Sequence, residues 1–154
     1  MLPSLKNYEG IFMKKKFIFT RDQIHVLVEL LCAQMQQCQI FTFTGPLGAG
    51  KTMVIHHFFR HLGIINVVTS PTFSYVNTYT TPDGVYIHHF DLYRIVSIDE
   101  FCALGFDEYL YKERSYVCIE WPEIIMPLLE HAVCHVALEY HPDMNTRIAT
   151  LVTE

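Results

Sequence analysis

The sequence predicts an α/β fold: one domain, with a mixed β-sheet flanked by helices. Three observations point there. The 154 residues suit a single core, since a chain of this length buries about two thirds of its unfolded surface. At 51% hydrophobic and 18% charged, the composition excludes a disordered or low-complexity chain. Finally, stretches with helical spacing of apolar residues alternate with short β-branched and aromatic runs, the pattern of an interleaved sheet. No internal repeat or linker-like shift in composition divides the chain.

Taken in order, residues 1–16 read as an N-terminal extension and 17–154 as the domain. Residues 1–12 show no clear period, and Met13 stands as an alternative start. Lys14-Lys15-Lys16 before Phe17-Ile18-Phe19 resembles the opening of a signal peptide. Its apolar part stops at Thr20-Arg21-Asp22, short of the roughly 7–15 residues required. No apolar run approaches the ~20 residues of a membrane span, so a cytoplasmic location is expected.

Thr20-Arg21-Asp22-Gln23 reads as a capping box, and Ile24, Leu27, Val28, Leu31, Met35 and Cys38 then recur as an amphipathic helix of about four turns. Residues 40–44 form a short strand, 45–50 a glycine-rich turn, and 52–62 a second helix closed by Gly63. Strands are expected at 67–68, 73–80 and 85–90, the last two joined by the turn Pro82-Asp83-Gly84. Ser97-Ile98-Asp99-Glu100 opens a short helix that ends near Gly105. Residues 116–120 form an apolar strand ending in a carboxylate, and 132–140 and 146–152 are closing strands around His141-Pro142-Asp143.

Charge and cysteine content exclude several classes. A net charge of −5 lacks the basic excess of an autonomous nucleic-acid binder. The five cysteines, Cys32, Cys38, Cys102, Cys118 and Cys134, are odd in number and form no CxxC pair. They fit reduced, buried thiols rather than a disulfide framework or a zinc ribbon.

One motif carries chemistry. Gly45-Pro46-Leu47-Gly48-Ala49-Gly50-Lys51-Thr52 satisfies G-x-x-x-x-G-K-[ST] at every specified position, between a strand and a helix. Glycines 45, 48 and 50 let successive backbone N–H groups curl around a polyphosphate, and the following helix aims its positive dipole end at that anion. Lys51 supplies a mobile charge for the β- and γ-phosphates, and the Thr52 hydroxyl is placed to ligate Mg²⁺. Chance would produce the four fixed positions in about one chain in 200 of this size, so a turn that binds nothing is a poor alternative. The domain is therefore expected to be a P-loop NTPase fold. Guanine-specific proteins use Asn-Lys-x-Asp, and no asparagine here precedes a lysine, so adenine is the default base and ATP the expected cofactor.

Such a loop also needs a neighbouring strand that ends in a carboxylate. Glu120 after 116–119 and Asp91 after 85–90 both qualify, and spacing alone does not choose between them.

Four segments then occur in one order: Gly-Pro-Leu-Gly-Ala-Gly-Lys-Thr at 45–52, Ser70-Pro71-Thr72-Phe73, His89-Phe90-Asp91-Leu92-Tyr93-Arg94, and Glu120-Trp121-Pro122-Glu123. Together they resemble the TsaE (YjeE) family, small bacterial ATPases that serve threonylcarbamoyladenosine synthesis on tRNA. Pro46 departs from that pattern, which usually has an acidic residue there. The resemblance implies Mg²⁺-dependent ATP hydrolysis, with TsaD and TsaB as partners and tRNA reached only through them. It implies that Glu120 joins Thr52 on Mg²⁺, that Asp91 orients the attacking water or a metal-bound water, and that Thr72 senses the γ-phosphate or its metal unless it is only a turn residue. Trp121 is expected beside the nucleotide or as a core anchor. Arg21 and Arg147 are expected near the adenosine. Tyr93 and Arg94 face a partner or the phosphates, or Arg94 pairs with an acid such as Asp99.

Other readings are weaker. His57 and His61 lie four apart, and His88-His89 and His131/His135 add more rings, but no HExxH or Cys/His finger is present, so packed or solvated histidines are expected. A small-molecule kinase would add an arginine-bearing lid, whereas Arg21, Arg60, Arg94, Arg114 and Arg147 are scattered. A nucleotide-gated scaffold without turnover is the remaining alternative.

Overall fold

A computed structural model describes residues 14–66 and 68–154. Seven strands form one sheet in the order β1-β7-β6-β2-β5-β4-β3. They are β1 Lys14–Thr20, β2 Ile40–Thr44, β3 Val76–Thr80, β4 Tyr86–Asp91, β5 Ser115–Glu120, β6 Val133–Tyr140 and β7 Thr146–Thr153. The central β6, β2, β5 and β4 pair in parallel, and β1, β7 and β3 complete the two sides antiparallel. The sheet is mixed and the fold α/β, as the alternation of periods predicts.

Two helices, α1 Ile24–Gln34 and α2 Lys51–His61, pack together on one face. Their buried Leu27, Leu31, Ile55 and Phe58 meet Phe41 and Phe43 of β2. The short α3, Ile98–Ala103, covers the other face, where Phe101 joins Phe90, Val117 and Ile119. Alternation along each strand assigns the faces. On β5, Val117 and Ile119 face α3, so Cys118 and Glu120 face α2; on β4, Phe90 faces α3, so His89 and Asp91 face α2. The register then sets Asp91 directly beside Glu120.

Several boundaries differ from expectation. β1 begins at Lys14, three residues before the expected domain start, and pairs along its whole length with β7. Its exposed lysines hid a strand, although charge on an edge strand is what blocks pairing with other chains. The extension up to residue 13 and its alternative start lie outside the described residues. Helix α1 stops at Gln34, with Met35 and Cys38 in the turn that follows. The strand expected at 73–80 starts only at Val76, because Pro71 accepts a turn bond from Tyr75 N, whose φ is +65°. Of the strand expected at 67–68, Val67 lies outside the described residues and Val68 is buried but unpaired in the sheet. Cys38, Cys118 and Cys134 are buried as expected, whereas Cys102 is exposed.

Candidate nucleotide-binding site

The glycine-rich turn leaves the C-terminal end of β2 and runs into α2, which starts at Lys51 with Gly50 as its N-cap at φ +104°. Beside it lies a cavity of about 500 Å³. Leu47, Gly48, Gly50, Lys51 and Thr52 of the loop line it together with Thr72, Asp91, Glu120 and Trp121. Asp91, Glu120 and Trp121 reach the loop because β5 ends beside β2, and β4 beside β5, in the parallel centre of the sheet.

Lys51 is 5% exposed, and its ammonium donates to the carbonyl oxygens of Gly45 (2.7 Å) and Pro46 (3.1 Å). The same nitrogen lies 3.7 Å from the centre of the Trp121 ring. Burial pulls its pKa below the ordinary value, opposed by the charges of Glu120, Glu123 and Asp91. Trp121 is held at φ +58°, a left-handed conformation unfavourable for a large side chain, with its backbone N–H bonded to Phe43 O. It is half-buried at the cavity rather than a core anchor.

The two acids have different surroundings. Glu120 is 3% exposed; the Thr52 hydroxyl lies 3.0 and 2.9 Å from its two oxygens, and His89 Nε2 lies 2.8 Å from Oε1. Asp91 Oδ2 accepts from the hydroxyls of Ser70 (2.5 Å) and Thr72 (3.2 Å), and Oδ1 accepts from Tyr93 N. The Thr72 hydroxyl is thereby tied to the acid from the turn that follows Pro71. Thr52 and Glu120 offer converging hard oxygen donors, the donor set that suits Mg²⁺. Among the described residues lining this cavity, Lys51 is the one cation.

Arg94 does not pair with Asp99. Its guanidinium donates to Thr72 O and Phe73 O and lies over the Tyr75 ring at 4.9 Å, so it braces the 72–75 turn from outside the cavity. Arg21 and Arg147 line a second cavity, of about 630 Å³, whose walls share Gly48, Gly50 and Met53 with the first. Ala49 joins that second lining, while Pro46 sits exposed on the outer turn of the loop.

Three contributors carried no assigned role in the sequence reading. Ser70 and His89 lie inside segments singled out there, and His89 stands two residues before Asp91, so period-2 alternation puts both on one face. Tyr140, whose hydroxyl donates to Leu47 O from β6, has no local signal, because its partner is 93 residues away.

Comparison with known proteins now bears on this geometry. The family model described as "Threonylcarbamoyl adenosine biosynthesis protein TsaE" matches residues 19–148. The chain belongs to the TsaE family. Among its relatives, the tRNA threonylcarbamoyladenosine biosynthesis protein TsaE of Rickettsia felis is 38% identical over 86% of this chain and 75% of its own length. The TsaE protein of Rickettsia bellii is 34% identical over 88% of this chain and 92% of its own. The crystal structure of Bacillus subtilis YdiB superposes with a TM-score of 0.70 at 25% identity, covering 94% of this chain and 88% of that one. The family's role is in tRNA threonylcarbamoyladenosine biosynthesis, and the TsaE match spans the phosphate loop and both acids. No helix among the described residues is long and apolar enough to cross a membrane.

Proposed function

We propose that this TsaE-family chain binds ATP with Mg²⁺ and hydrolyses it to ADP and phosphate, in the cytoplasm, in the service of tRNA threonylcarbamoyladenosine formation by TsaD and TsaB. The observation that carries this reading is the convergence of a phosphate loop, its lysine and two strand-end acids on one cavity.

Each group has a task that its surroundings support. Loop N–H groups and the α2 N-terminus bind the phosphates, and Lys51 exchanges its bonds to Gly45 O and Pro46 O for phosphate oxygens. Thr52 and Glu120 are the residues to hold Mg²⁺, which when bound offsets the charge of the phosphate oxygens. Asp91, fixed by Ser70, Thr72 and Tyr93 N, has one carboxylate geometry and is the group to orient water. Thr72 lies between that acid and the Arg94-braced turn, so a phosphate that engages its hydroxyl also changes the hold on Asp91. Trp121 closes the phosphate end, and the cavity bearing Arg21 and Arg147 receives the adenosine.

With one lining cation, transition-state charge is under-compensated in the isolated chain. An arginine supplied by a partner is worth about 10³–10⁵ in rate in related P-loop enzymes. The test is ATPase activity with and without TsaD–TsaB and tRNA, followed through several turnovers of modification. Slow hydrolysis alone and clear stimulation in the complex are expected. Fast hydrolysis by the isolated chain, indifferent to the partners, overturns the proposal.

A further inference from the structure

We propose that His89 is a positioning residue, holding the Glu120 carboxylate in the orientation that accepts the divalent cation; this rests on the reading of Glu120 as the metal carboxylate. The ring is completely buried on β4, in register with Cys118 and on the face toward α2. Its Nε2 lies 2.8 Å from Glu120 Oε1. A carboxylate accepts, so Nε2 carries the hydrogen. Nδ1 is buried with no hydrogen-bond partner among the described residues. A side chain needed only for packing would be apolar here, because an unpaired buried polar atom is destabilising. What this imidazole has and phenylalanine lacks is the donor at Nε2.

Phe59 of α2 packs edge-on against the ring, with centroids 5.9 Å apart. The same helix carries Thr52, the other group on Glu120. Glu120 is thus fixed between a strand donor and a helix donor, with Oε1 bonded by both and Oε2 facing Thr52 alone. Without the His89 donor, the carboxylate pivots about the Thr52 contact and loses its aim. Outer partners of this kind set metal affinity by about 10- to 100-fold while leaving the fold in place.

The experiment uses the full chain, with Mn²⁺ as the probe cation. Free Mn²⁺ is counted by electron paramagnetic resonance in the presence of ADP, beside ADP affinity measured in chelator. His89→Phe keeps the ring and removes the donor. It is expected to weaken Mn²⁺ binding about tenfold or more, with chelator-condition ADP affinity unchanged. In His89→Gln the amide nitrogen reaches as far as Nε2, and Mn²⁺ affinity should return towards that of the parent chain. Loss in Glu120→Gln with none in His89→Phe overturns this inference alone, and equal loss in His89→Phe and His89→Gln also counts against it. Full Mn²⁺ affinity in Glu120→Gln overturns the reading of the site beneath it. If His89→Phe does not fold, ¹⁵N spectra of the parent chain decide: a hydrogen on Nε2 is expected, and one on Nδ1 refutes the proposal.

Discussion

Replacing Gly45 with alanine tests how the phosphate loop is seated against the sheet. Gly45 has φ +136°, and a Cβ built there falls 2.2 Å from Leu138 O and 3.2 Å from Leu138 C, both backbone atoms of β6. Ordinary contact begins at 3.4 Å, so the loop must retreat from β6 by about 1 Å. Backbone strain at such an angle costs about 1–3 kcal/mol, and overpacking adds a similar amount. Gly45→Ala is therefore expected to lose about 2–6 kcal/mol of stability in urea unfolding. A displacement of this size also costs up to about 10²-fold in any function that needs the loop amides in place. Gly84→Ala is the control, since its φ is +82° but the new methyl meets nothing within 4 Å. It should lose roughly 1 kcal/mol, with ATP binding untouched. The reasoning is refuted if Gly45→Ala is no more destabilised than Gly84→Ala, or if it binds ATP like the parent chain.

Lys51→Ala should abolish turnover and most nucleotide affinity in calorimetric titration, because the phosphates lose their one mobile counter-charge, whereas Thr52→Ala should spare binding and weaken the Mg²⁺ dependence. Glu120→Gln should bind ATP but turn over about 10²-fold more slowly, and Asp91→Asn should follow it; unchanged partner-stimulated hydrolysis in both variants contradicts the assignment of the acids. Thiol titration near pH 8 should find Cys102 reacting first, since it is exposed while burial pushes Cys38 up to about 11 and Cys118 well above the ordinary thiol value. Burial lowers the His88 pKa from its ordinary 6.5, so folding disfavours its protonated form. The stability this contributes is complete above 6.5 and is lost as pH falls through the lower folded-state value. The urea midpoint should therefore fall as pH drops below about 6.5, and fall less in His88→Phe.

The helices, the parallel strands and the loop were legible because each is written in a local period or motif. Glu120 and Asp91 were legible for the same reason, each ending an apolar run that needs two buried faces. What stayed hidden depends on distant partners. β1 is recognisable as a strand only through its pairing with β7, more than 120 residues away in sequence, since its exposed lysines obscure any alternation. Arg94 is equally non-local: its place was decided by the Thr72 and Phe73 carbonyls and the Tyr75 ring, which form a better-fitting site than an exposed acid on the next helix. The left-handed Trp121 had no signal either, since its conformation follows from its backbone bond to β2.

The two adjoining cavities are built by different parts of the sheet. The walls around Lys51, Asp91 and Glu120 come from the parallel centre, whose register any insertion would shift. The walls around Arg21 and Arg147 come from the end of β1 and the turn between β6 and β7, on the antiparallel flank. The molecule thus has a division of labour that selection can act on separately. Changes in the flank turns can reshape the cavity bearing Arg21 and Arg147 without moving the strand-end acids. The machinery at the strand ends tolerates no such drift, because moving one carboxylate there by a single position sends it through the sheet to the opposite face.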